Sequence, residues 1–187
     1  MSPGLRRARC IALALIAPLA CAMALAQPAH SEGAIEAPAQ QARTQRERDV
    51  ARRGADVMPF SLEATTHVFR KTRRGGIQKV VAKNPSDRGQ VRLVRKHLRE
   101  IQRQFEHADF SGPAHIHGQD MPGLAELQAA PRGTIGVAYQ QVPGGAQLSY
   151  STRDRKLVTA LHRWFDAQLS DHGADAMADH QHHGDMR

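Results

Sequence analysis

Two hydrophobic rhythms organise the chain from Val57 onward. His67 to Thr72 alternates apolar and polar positions, Arg73-Arg74-Gly75-Gly76 interrupts, and Ile77 to Lys83 alternates again. A period of two on either side of a Gly-Gly turn predicts a β-hairpin. Asn84-Pro85-Ser86-Asp87 then breaks the strand and supplies helix caps. Val91, Val94, Leu98, Ile101 and Phe105 follow at spacings of three and four, the stripe of an amphipathic helix. The sequence Asp109 to Gly118 reads as a loop, and Met121 to Ala130 as a short helix. The hairpin rhythm then returns: Ile135, Val137 and Tyr139 alternate, Pro143-Gly144-Gly145 turns, and Ala146, Leu148 and Tyr150 alternate. A second helix starts near Arg153, with Leu157, Leu161, Trp164 and Phe165 on one side and Gly173 as its C-terminal cap.

Val68, Gly75, Gly76 and Gln78 match Val137, Gly144, Gly145 and Gln147 at a constant offset of 69 residues. This predicts an α+β domain over residues 57–173, built from a duplicated ββα unit. The expected form is a four-stranded, mainly antiparallel sheet with two amphipathic helices on one face.

The flanks differ in kind. Residues 1–26 have the form of a signal peptide: Arg6, Arg7 and Arg9, an apolar run from Ile11 to Ala22, and a small-x-small site at Ala24-Leu25-Ala26. Export to the periplasm or beyond the cell is therefore expected, with no transmembrane segment in the mature chain. Leu19-Ala20-Cys21 offers a second reading, a lipoprotein acylated at Cys21, although Pro18 stands where such boxes carry Leu. Residues 27–56 read as a flexible leader, with a short charged helix over 43–56. Both cysteines, Cys10 and Cys21, fall in the signal segment. Its removal leaves no thiol, which excludes disulfides, Cys-ligated zinc, iron–sulfur clusters and thiol catalysis.

Loss of three arginines lowers the formal charge of +8 to +5. What remains is uneven: residues 43–103 hold 17 Lys and Arg against 6 Asp and Glu, whereas residues 166–187 hold five Asp and one Arg. A basic stretch of this kind attracts an anionic envelope component or an acidic protein. Nucleic acid is not an expected partner of an exported chain with 4% aromatic residues.

Histidine is the unusual component, 11 in all with five after residue 160. In an extended loop His115 and His117 would project to one side, with Met121 four residues on; imidazole with thioether suits copper, and a third nitrogen or a carboxylate suits zinc. Residues 174–187 form a His-, Met- and Asp-rich tail. With the preceding His172 it supplies Met177, His180, His182 and His183 as candidate ligands for copper, zinc or nickel. His67 and the i, i+4 pair His162 and Asp166 are additional candidates, the pair also as a catalytic base and its orienter. His97 flanks the apolar stripe of the first helix and reads as structural. The leading expectation is an exported metal-binding protein that buffers or passes on copper. The alternatives are a module binding an envelope polymer or protein, and an enzyme.

Several segments carry a resemblance: Met58-Pro59-Phe60, Thr66-His67-Val68-Phe69, Gly75-Gly76-Ile77-Gln78, Asp109-Phe110-Ser111-Gly112-Pro113, Ile116-His117-Gly118, Met121-Pro122-Gly123-Leu124, His162 to Gln168, Asp171-His172-Gly173 and Ala176-Met177. From Val57 to Met177 the chain resembles a family of small exported bacterial proteins whose members often carry the label aspartate carbamoyltransferase. Ser151-Thr152-Arg153-Asp154-Arg155 is similar to the carbamoyl-phosphate-binding Ser-Thr-Arg-Thr-Arg of carbamoyltransferases. Asp154 departs from that motif by placing a carboxylate where a hydroxyl is required, and the companion His-Pro-x-Gln is absent. Carbamoyltransferases also have two α/β domains and a much longer chain.

Overall fold

The computed structural model describes residues 33–179. Residues 1–26, expected to be a signal segment and holding both cysteines, and the tail residues His180, His182 and His183 lie outside them. The described chain is α+β, with five helices and one open sheet. Helix α1 spans Gly33–Val57, followed by strands β1 (Thr65–Thr72) and β2 (Gly75–Ala82). Helices α2 (Arg88–Glu106), α3 (Ser111–His117) and α4 (Leu124–Gln128) come next. Strands β3 (Gly136–Val142) and β4 (Gly145–Ser151), helix α5 (Arg155–His172) and strand β5 (Ala176–Ala178) complete it. None of these helices is long and apolar enough to cross a membrane.

Both hairpins form where the alternation places them. Thr72 pairs with Gly75 and Val142 with Gly145, so the turns are Arg73-Arg74 and Pro143-Gly144. The first glycine pair thus opens β2 rather than forming the turn itself. β2 and β4 join the hairpins antiparallel, and the order is β3-β4-β2-β1-β5. The expected four-stranded sheet is corrected to a five-stranded mixed one, because β5 pairs parallel with β1. Ala176-Met177-Ala178 has no alternation long enough to read as a strand. It is held instead by the open edge of β1, where the Asp179 amide donates to the Phe69 carbonyl at 2.9 Å. The expected tail therefore begins inside the sheet.

One face of the sheet carries His67, Phe69, Val80, Leu148 and Tyr150, and α2 and α5 lie against it. Asp87 caps α2 by accepting from the Gln90 amide at 3.0 Å, and Val91, Val94, Leu98, Ile101 and Phe105 are buried as the stripe requires. Trp164 sits at the centre of an aromatic cluster with Phe105, Phe110, Tyr150 and Phe165, its ring centres 5.7–6.4 Å from theirs. Gly76 is needed for this packing. A Cβ there would stand 2.3 Å from the Phe165 ring, so only glycine lets α5 settle on the hairpin.

The leader differs most from expectation. Residues 27–32 lie outside the described residues; from Gly33 to Val57 the chain is a 25-residue helix rather than a flexible segment with helix only from residue 43, and Val50 is fully buried in the core. Its apolar pattern is too sparse to announce a packed face. What holds it is the end of another helix: Arg53 Nε donates to the Ile116 carbonyl at 2.7 Å, and Arg46 Nη2 to the His117 carbonyl at 3.1 Å. Those carbonyls belong to the last turn of α3, where no intrahelical donor remains.

Candidate metal centre

Four histidines from four elements face one small space. His67 comes from β1, His97 from α2, His117 from the end of α3 and His172 from the end of α5. All four are buried, at 2–9% exposure, and all line a cavity of about 40 Å³ whose other walls include Met58, Phe60, Leu98 and Trp164. His172 is the middle ring, its centre 4.8 Å from His67 and 5.1 Å from His117. Imidazoles that share one tetrahedral ion at about 2.0–2.1 Å from each nitrogen have ring centres roughly 5 Å apart. His97 is set back behind Phe60, whose ring centre is 5.5 Å from its own and 5.9 Å from that of His67. Among the described residues no three His, Cys, Asp or Glu side chains already stand in ligating geometry, so closing on an ion requires rotation of the rings.

The unmet hydrogen bonds concentrate here. Among the described residues, the buried side-chain atoms without a partner are both ring nitrogens of His67, Trp164 Nε1, Gln168 Nε2 and Tyr139 Oη. All but Tyr139 belong to residues lining this cavity. A buried polar group left unpaired costs about 1–3 kcal/mol, and native folds keep few of them. Several such atoms around one cavity mark a place built for something other than packing.

One ring is oriented. His117 Nδ1–H donates to Asp171 Oδ2 at 2.9 Å, which fixes the tautomer and leaves the Nε2 lone pair free. Asp171 is gripped in turn by Arg46, Nε to Oδ1 at 2.5 Å and Nη2 to Oδ2 at 2.8 Å. Burial alone would push the Asp171 carboxyl up, but the hydrogen bonds from His117 and Arg46 outweigh it and hold it below the usual carboxylate range. Burial drives the His67 imidazole well below its ordinary value, reinforced by His172, His97 and His117. It brings His97 to about 4, and His172 to about 4 with help from His117. His67, His97 and His172 are therefore neutral near pH 7, the form that ligates metals.

This sets an acid limit on the metal-free protein. The unfolded chain takes up protons on His97 and His172 near pH 6.5, the folded chain only near 4, so stability falls as the pH drops through that interval. Each ring withdraws about 3 kcal/mol by pH 4. Cooperative unfolding between pH 6 and 4, followed by the fluorescence of Trp164, is the expected result. A signal flat down to pH 4 would contradict it.

The sequence-derived ligands divide. His67, His117 and His172 come together, and His97 joins them. His115 does not: residues 111–117 are helical rather than extended, so positions i and i+2 lie on opposite sides. His115 is exposed and stands 3.3 Å from Asp56. Met121 is buried in the core but is not among the cavity's lining residues, whereas Met58 is. Met177 is 54% exposed; it pairs level with Val68, one position out of phase with His67, and so belongs to the other face of the sheet. His162 Nε2–H donates to the Thr72 and Gly75 carbonyls at 3.0 and 2.9 Å, tying α5 to the first hairpin. Asp166 pairs with Lys71 at 2.5 Å, so neither it nor His162 joins the cluster. His97 carried a readable signal, being three residues after Val94 and four before Ile101 on the buried stripe. Asp171 was marked only by its place in Asp171-His172-Gly173, and Arg46 carried no signal.

The Ser151-to-Arg155 motif also has a structural role. Asp154 caps α5, its carboxylate accepting from the Lys156 amide at 2.7 Å. The carboxylate thus holds an amide at the helix N-terminus to which a phosphate would bind. No family model, no curated protein and no solved structure matches the chain.

Proposed function

We propose that the chain is an exported metal-binding protein that holds one copper ion, as Cu(I), on His67, His117 and His172, and buffers it or passes it on. The carrying observation is the concentration of unpaired polar atoms and neutral imidazoles around one small cavity. A cavity of about 40 Å³ has room for one ion or a few waters. Imidazoles bring no charge to an ion they ligate, and Arg46 already balances Asp171. The desolvation cost of an ion grows with the square of its charge, so a monovalent ion is buried here at about a quarter of the cost of zinc or nickel in the divalent state. Imidazole with the Met58 thioether nearby also suits Cu(I). In this reading the two hairpin–helix modules are the copies of one duplicated unit, and the cluster lies where the first module's strand meets the second module's helix. The tail histidines His180, His182 and His183 collect metal at lower affinity.

Titration with Cu(I), zinc and nickel against a chromophoric competitor tests the assignment. One Cu(I) per chain is expected. It should survive removal of residues 180–187 and the His115→Ala change, weaken about 10–100-fold in Asp171→Asn, and vanish in His117→Ala and His172→Ala. Binding that disappears with the tail, or that ignores His117→Ala and His172→Ala in a folded protein, overturns the assignment.

A further inference from the structure

The solvent side of α2 is a line of cations. Arg88, Arg92, Lys96, Arg99 and Arg103 are all exposed, and among the described residues none of them makes an ion pair with an acidic side chain. At 3.6 residues per turn they fall within an arc of roughly 100°, opposite the buried stripe, and extend roughly 22 Å along the axis. Arg99 is held over the Tyr139 ring at 4.9 Å, which fixes one charge of the row against β3. Gln102, on the same helix, donates to the Val137 carbonyl and so also ties α2 to the edge of the sheet.

A row of charges kept unpaired on a rigid helix is self-repelling, and a solvated face does not require it. We propose that this ridge binds a linear acidic polysaccharide laid along α2. The linear arrangement matches a chain of regularly spaced anions, and the ridge lacks what other anionic partners need. A membrane surface would be gripped by apolar side chains beside the cations, yet the one exposed large hydrophobic residue among those described is Met177, outside the ridge. A protein partner needs an apolar centre to its interface, and none interrupts the cations. Single-stranded nucleic acid needs stacking rings, and Tyr139 is covered by Arg99. The ridge is on the side of α2 away from His97, so it is independent of the proposed copper site.

The probe is polygalacturonate, with phosphatidylglycerol–phosphatidylethanolamine vesicles as the competing arm. Polygalacturonate should bind with a log–log salt slope of about −3, reflecting released counterions. Arg92→Gln/Lys96→Gln/Arg103→Gln should weaken it about tenfold or more. Arg153→Gln/Arg155→Gln/Lys156→Gln removes the same charge from exposed positions elsewhere and should weaken it at most about twofold. Equal loss in both variants would reduce the effect to net charge and overturn the proposal, as would tighter binding to the vesicles than to the polymer.

Discussion

Replacing Arg46 by methionine is expected to lower the unfolding free energy by about 2–3 kcal/mol, a fall of roughly 5–10 °C in melting temperature. Breaking a buried ion pair from one side usually costs about 3–5 kcal/mol, because the remaining charge is stranded. Two features moderate it here: the Arg46 side chain is 45% exposed, and His117 still donates to the abandoned carboxylate. Methionine retains the apolar stem, so the loss reports the guanidinium. Arg46→Lys should recover only part, since one ammonium cannot span both Asp171 oxygens and the His117 carbonyl as the fork does. Urea unfolding of Arg46→Met, Asp171→Asn and the double variant makes the test specific. The double variant should lose less than the sum of the singles, because both act on one contact. A single-variant loss under about 0.5 kcal/mol, or strict additivity, would show that α1 is held by Val50 and its apolar neighbours alone.

That contact also explains where the sequence was silent. Strands and main helices were legible because their signal is local: alternation in β1 to β4, a three–four stripe in α2 and α5, Asp87 and Gly173 as caps. α1 was not, since a helix with one fully buried valine owes its place to two arginines and the carbonyls of α3, which lie more than sixty residues away in sequence. α3 was missed for the reverse reason. Its Gly112-Pro113 start and seven-residue length imitate a loop, and this misplaced His115 beside His117. β5 is too short to have a period. The cluster was legible in part: His67, His117 and His172 were candidates individually, but the reason they belong together is the tertiary meeting of β1, α3 and α5. Asp171, which orients His117, was marked only as the neighbour of His172, and Arg46, which grips Asp171, has no marker in a single chain beyond being charged.

His67→Leu should raise the stability of the metal-free protein while ending its capture of Cu(I). Core substitutions ordinarily destabilise, so a gain is the less common sign. The imidazole packs among Phe60, Phe69 and His172, at ring-centre distances of 5.9, 6.4 and 4.8 Å, and neither of its nitrogens has a partner. Leucine has similar volume and no polar atoms to desolvate, which is worth about 1–2 kcal/mol after allowance for imperfect fit. The acid sensitivity moves with it. Removing a neutral, buried imidazole removes one group that must protonate on unfolding, so the acid midpoint should shift to lower pH. Copper reverses the ranking. At a free Cu(I) concentration of 100 times Kd the original protein gains about 2.7 kcal/mol, and the variant gains nothing. Thermal unfolding of both proteins with and without Cu(I) gives four melting temperatures, and only a crossing pattern fits: variant higher without the ion, original higher with it. A variant less stable by more than 1 kcal/mol without metal, and equally protected by Cu(I), would mean that His67 is an ordinary packed ring. Cu(I) would then be held without His67, and the assignment of that ring as a ligand would fall.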